Sequence, residues 1–206
     1  DALPICFRRE ARSASRIGHA HIVDISDFGE TPAGHAFFVM EKLDGEDLAD
    51  VLERETVVAP ERALHIALQC ARALGAAHAK GIVHRDMKPE NIFLITRDGA
   101  DDFVKLVDFG IAKMSDLDAE VGGGEARKLT KTGMIFGTPE YMSPEQASGK
   151  KLDHRVDIYA LGVILYEMFA GRVPFVGDTF MGILTQHLFE HPPPIRQLNP
   201  NVHLSS

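Results

Sequence analysis

The stretch His84-Arg85-Asp86-Met87-Lys88-Pro89-Glu90-Asn91 decides how this chain reads, because charged and amide side chains crowd a segment between two regular elements. Upstream, Pro60 sits where the first turn of a helix tolerates it. Leu64, Ala67, Ala71, Leu74 and His78 follow at helical spacing, and Gly81 is a stop signal. Downstream, the apolar runs 91–95 and 104–107 flank Arg97-Asp98-Gly99 and predict a hairpin. Asp86 is therefore a carboxylate on a loop, two residues from Lys88 and five from Asn91, and Asp108-Phe109-Gly110 follows 17 residues after Asn91. Asn91 and Asp108 offer hard oxygens of the kind Mg2+ takes alongside substrate phosphates. Asp86 suits acceptance of a hydroxyl proton, and Lys88 suits charge neutralisation on a migrating phosphoryl group.

Working outward, residues 21–26 and 35–43 are β-rich and flank turn chemistry at 29–34, which predicts a first hairpin. Residues 7–17 read as a charged helix and Glu46 to Arg54 as a short one. Residues 155–170 are apolar nearly all round, as in a helix buried in a core. Residues 111–137 are polar and Gly-containing, and a loop that long inside a compact domain points to function. The order is a little strand structure followed mostly by helix. It predicts an α+β chain with a small sheet-bearing lobe joined to a larger helical one.

Bulk properties narrow the function. The 206 residues carry 22 Lys+Arg against 30 Asp+Glu, a net charge of −8 that argues against a nucleic-acid partner. No run approaches the ~18–20 apolar residues that span a bilayer. Cys6 and Cys70, far apart in sequence, read as free thiols in a reducing cytoplasm.

Four motifs in order resemble the serine/threonine protein kinases, specifically the bacterial branch of eukaryotic-like type. His84 to Asn91 matches H-R-D-x-x-x-x-N and Asp108 to Gly110 matches D-F-G. Gly137 to Glu145 matches the A-P-E region, with Ser143 in place of Ala. Asp157, in Asp157-Ile158-Tyr159-Ala160-Leu161-Gly162, matches the buried-helix Asp. Two decoys fail: Asp27-Phe28-Gly29 precedes the H-R-D, and no Asn stands five residues after the Asp of His154-Arg155-Val156-Asp157.

The resemblance implies a two-lobed kinase fold, with residues 1–43 the remainder of the small lobe and hinge and 44–206 the large lobe. It implies ATP and Mg2+ as cofactors and Ser/Thr-containing proteins as partners, with self-association for autophosphorylation. Asp86 would be the catalytic base, Lys88 the γ-phosphate partner, and Asn91 and Asp108 the metal ligands. Met40 would be the gatekeeper, and Glu41, Lys42 and Leu43 the hinge against the adenine. Phe93 would lie under that ring, or else be an ordinary core aromatic. Ile25, His84 and Phe109 fit the regulatory spine, with Ala14 its thin helix member. Thr138 would brace Asp86 and Lys88, and Thr130 and Thr132 would be phosphorylated and dock on Arg85.

Two departures bear on completeness. Glu10 fits the small-lobe Glu, but the nine residues before it hold neither a Lys nor a Gly-rich loop. The Arg that pairs with Glu145 is expected beyond Ser206, and breaking such a buried pair costs about 3–5 kcal/mol. The sequence thus reads as the middle of a kinase domain, poorly stable alone, that lacks the C-terminal helices; an anchor beyond Ser206 stays open. A pseudokinase or binding module is the alternative, disfavoured because Asp86, Asn91 and Asp108 are intact. A remote one is a zinc peptidase through His187, Glu190 and His191, which spell H-x-x-E-H; solvated histidines at the end of a surface helix is the plainer reading. Pro192-Pro193-Pro194 reads as a rigid loop rather than a PPII ligand.

Overall fold

The structure, a computed structural model, describes residues 17–32, 35–109 and 138–202. Glu10, Ala14, Gly110, Thr130, Thr132 and residues 7–16 of the helix expected over 7–17 lie outside them.

The first hairpin forms as expected from β1 (Ile25–Glu30) and β2 (Ala36–Met40), antiparallel with Phe28 opposite Phe38. Its first strand starts later than the β-rich run at 21–26, because residues 21–23 are taken up elsewhere. Ile22 bridges Leu106 in parallel, Val23 N–H donates to Leu106 O at 2.9 Å, and Leu106 N–H donates to His21 O at 2.9 Å. Asp27-Phe28-Gly29 lies inside β1, paired with residues 37–39 of β2, rather than on a loop after a strand.

A second sheet has the order β3 (Gly45–Asp47), β4 (Ile92–Arg97), β5 (Ala100–Leu106), all antiparallel. The helix expected at Glu46 begins two residues later, as α1 (Leu48–Glu55). Residues 45–47 pair with 93–95 instead, and Asp47 becomes the N-cap, accepting from Asp50 N–H at 2.9 Å. Gly45 is needed there because a Cβ would collide with the Leu94 carbonyl oxygen.

α2 (Pro60–His78) starts at its proline, but it buries a different face from the one its larger residues suggest. Ala63, Ile66, Ala67, Cys70, Ala73, Leu74 and Ala77 point inward, while Leu64 is half-exposed and Ala71 is exposed. Small alanines let neighbouring elements approach this face closely. Gln69, buried on it, docks β5: its Nε2 donates to Asp102 O at 2.8 Å and its Oε1 accepts from Val104 N–H at 3.1 Å. Burial pushes the Cys70 thiol up to about 12, so it stays protonated and inert.

The second half of the chain supplies α3 (Pro144–Ala147), α4 (Arg155–Ala170), α5 (Phe180–Phe189) and α6 (Ile195–Leu198). α4 is the central helix. Ala160, Ile164, Met168 and Phe169 join the core with Leu48, Val51, Leu74, Ile92 and Leu106, and only Ile158 among its large apolar residues is half-exposed. Gly171, at φ +78°, ends it in the left-handed conformation that glycine adopts without steric cost. Among the described residues no helix is long and apolar enough to cross a membrane.

Two expectations are corrected here. His187 is not solvated: it is buried, its Nδ1 lies 2.7 Å from the Tyr159 hydroxyl, and Phe175 meets its ring edge-on at 4.8 Å. Glu190 and His191 fall beyond the end of α5, so H-x-x-E-H does not share one helical face, and no group of three or more His, Cys, Asp or Glu among the described residues could hold a metal. Glu145 is exposed in this structure.

Gly45→Ala is expected to lower unfolding stability by about 1–3 kcal/mol, read as a reduced urea midpoint at unchanged m-value. Unaltered stability would show that the β3–β4 approach tolerates a methyl group.

Candidate active site

The site is built around one carboxylate. Asp157, in the first turn of α4, is 1% exposed and accepts three hydrogen bonds. Oδ2 accepts from His84 N–H at 2.8 Å and faces His78 Nε2 at 2.7 Å, while Oδ1 accepts from Arg85 N–H at 2.8 Å. A buried carboxylate with saturated oxygens fixes the backbone that binds it. That backbone is strained, since Arg85 has φ +64°, a left-handed conformation that costs a residue with a Cβ on the order of 1–3 kcal/mol. The Arg85 carbonyl is held from the other side by Gln146 Nε2, at 3.0 Å.

His84 is fully buried and its ring packs tilted against that of Phe109, with centroids 4.6 Å apart. Its Nδ1 accepts from Asp86 N–H at 3.3 Å, so its Nε2 carries the proton and donates to Val107 O at 2.9 Å. Burial holds its pKa below the ordinary 6.5, against the opposing field of Asp157, and the ring is neutral. Ile25 and Phe109 are both buried and line one cleft with Met40 and Asp108. The three described positions assigned to the spine therefore meet around this site.

The hairpin β4–β5 gathers the candidate metal ligands. Asn91 immediately precedes β4 and Asp108 lies two residues after β5, and Val107 N–H donates to Asn91 O at 3.0 Å, fastening the two ends together. Asn91 Nδ2 donates to Asp86 O at 2.7 Å, which leaves its amide oxygen as an acceptor. The donor types, one neutral amide oxygen and one carboxylate on Asp108, fit a hard divalent cation that completes its shell with phosphate and water. Asp108 also has positive φ, at +53°. Asp86, Lys88 and Thr138 line one cavity together with Arg85 and Gln146. Met40 ends β2 and is half-exposed; Phe93, in β4, stands between Asp47 and Lys105 in the sheet register. Leu43 lies between β2 and β3. Glu41 N–H donates to Asp24 O at 3.0 Å, and its carboxylate accepts from Asp24 N–H at 2.8 Å and pairs with Lys105 Nζ at 2.5 Å.

These features can be set beside known proteins. A family model described as the protein kinase domain matches residues 4–203. The chain belongs to the protein kinase family. It is 46% identical over 199 residues to the serine/threonine-protein kinase pkn3 of Myxococcus xanthus, covering 97% of this chain and 36% of that protein. It is 42% identical over 195 residues to the PknB kinase of Mycolicibacterium smegmatis, covering 93% of this chain and 29% of the other. The crystal structure of the Mycobacterium tuberculosis PknI kinase domain superposes with a TM-score of 0.70 at 28% identity, covering 98% of this chain and 67% of that one. The chain thus spans about a third of the length of these curated relatives. Its α+β architecture is that of the kinase fold.

Several residues of this candidate site escape a motif reading. His78, Tyr141, Gln146, Glu167 and Lys105 make polar contacts that depend on tertiary packing. Tyr141 O–H donates to Glu167 Oε2 at 2.6 Å, and burial raises the pKa of both groups. Of the five only Gln146 left a sequence signal, as the fourth residue of a Ser-x-x-Gln capping box whose reciprocal bonds both form.

Asp157→Ala should cost about 3–5 kcal/mol, because two buried N–H groups lose their acceptor, and a shift under 1 kcal/mol in chemical unfolding would contradict this anchor. Acid should also destabilise. Burial keeps His84 and His187 neutral in the fold, while the same residues take up protons near 6.5 when unfolded. Stability is therefore fully present above about pH 6.5 and falls below it. A melting temperature unchanged between pH 7.5 and 5.5 would count against both assignments.

Proposed function

We propose that this protein is a serine/threonine kinase that transfers the γ-phosphate of ATP to Ser or Thr hydroxyls of proteins. The observation that carries the reading is the placement of Asp86 and Lys88 on one cavity, with Asn91 tied to the Asp86 carbonyl and fastened next to Asp108. Asp86 accepts the substrate hydroxyl proton. Lys88 offsets negative charge on the phosphoryl group in flight, and Asn91 and Asp108 hold Mg2+, which neutralises the phosphates. Thr138, on the rim of the same cavity, positions Asp86 and Lys88. Met40, the backbone from Glu41 to Leu43, and Phe93 enclose the adenine.

Regulation centres on Arg85. Its Nε is buried and has no hydrogen-bond partner among the described residues, which suits a cation held in reserve for a phosphate. Phosphorylation of Thr130 or Thr132, by a second copy of the same protein, supplies that group. The acidic chain and the buried thiol of Cys70 fit a cytoplasmic setting.

In the full-length product of the gene, Asp86→Asn should lower phosphotransfer to a Ser/Thr-containing protein by about 10²–10⁴-fold while Mg-ATP still raises the melting temperature. Retained turnover sinks the role given to Asp86. Replacing both Thr130 and Thr132 by Ala should slow the same assay, and an unchanged rate removes the regulatory reading.

A further inference from the structure

We propose that Gln146 is a positioning residue for Asp86, its side-chain amide clamping the left-handed Arg85 turn from which Asp86 projects. The inference about catalysis rests on the kinase reading above; the clamp itself does not. Arg85 has φ +64°, and its N–H is tied to Asp157 Oδ1 at 2.8 Å. That bond fixes only one end of the residue. The other end, the carbonyl that begins the Arg85–Asp86 peptide, accepts from Gln146 Nε2 at 3.0 Å. Rotation of this peptide plane would swing Asp86 out of the cavity it shares with Lys88 and Thr138, and Gln146 lines the same cavity.

Gln146 is itself held so that only one of its amide atoms can face Arg85. Its Oε1 accepts from Ser143 N–H at 3.0 Å, and its backbone N–H donates to Ser143 Oγ at 3.3 Å. Ser143 is fully buried, so this cap is shielded from water. With the oxygen committed to Ser143, the NH₂ group is turned to the Arg85 carbonyl. The capping box at the start of α3 thus does more than begin a short helix. It aims a hydrogen-bond donor, 61 residues away in sequence, at the loop that carries Asp86.

The test compares Gln146→Ala, Gln146→Glu and Ser148→Ala. Glu at this position keeps the shape and the oxygen that accepts from Ser143, but it presents a carboxylate oxygen to the Arg85 carbonyl. The Ser148 hydroxyl bonds within its own helix turn, to the Pro144 and Glu145 carbonyls, and serves as the control. Amide hydrogen exchange over residues 84–88 should quicken about tenfold in both Gln146 variants and stay unchanged in Ser148→Ala. Exchange unchanged in Gln146→Glu overturns the clamp, since the residue would then serve as a cap or as packing alone. If Gln146→Ala fails to fold, the nearly isosteric Glu variant still decides. In the phosphotransfer assay both variants should lose about tenfold in kcat with KM for ATP within twofold. A loosened loop with an unaltered kcat overturns the positioning role. Wild-type protein without phosphotransfer would instead tell against the kinase reading, and the exchange comparison would still stand.

Discussion

Everything around the candidate site depends on the burial of one carboxylate. Asp157 sits in the first turn of the most buried helix, and its oxygens are filled by His78 and by the N–H groups of His84 and Arg85. An ionised group there would be intolerable without those donors, and the donors would be stranded without it. The mutual need forces the Arg85 turn into a conformation that a free loop would rarely visit. Asp86, Asn91 and the end of β5 inherit their positions from that turn through short hydrogen bonds, so the helix core fixes the chemistry at some remove.

The chain's local patterns announced the two hairpins, the proline-initiated α2, the buried α4 and the order of the four motifs. These are properties of spacing, and spacing survives in the sequence. The misreadings have one cause in common, which is competition from partners distant along the chain. Residues 21–23 look like the start of β1 but bond to Leu106; Glu46 looks helical but lies in the strand opposite Leu94. Leu64 outweighs Ala63 on any hydropathy scale, yet the alanine faces the core because close approach favours the smaller side chain.

The same contrast holds at the site. Asp86, Lys88, Asn91 and Asp108 could be picked out as candidates because their relative spacing matches the motifs. Gln146, His78 and His187 could not be assigned so directly, since each acquires its role from a partner reached only after folding. His187 is the clearest case. Its neighbours in sequence suggest a zinc-binding helix or a solvated terminus, while its neighbours in space are the hydroxyl of Tyr159 and the ring of Phe175. Identity of the residue was never in doubt, only its company.

The ion pair between Lys105 and Glu41 has a mechanical meaning. Lys105 lies near the end of β5, which also receives residues 21–23, so both strands of chain that lead to and from the β1–β2 sheet are fastened to the last residues of one strand. Any tilting of that sheet would therefore turn about the end of β5, with residues 42–44 the chain that connects it to β3. The fulcrum lies two residues from Asp108. Were the small sheet to tilt, its displacement would be smallest beside the candidate metal ligand and would grow along β1 and β2 away from it.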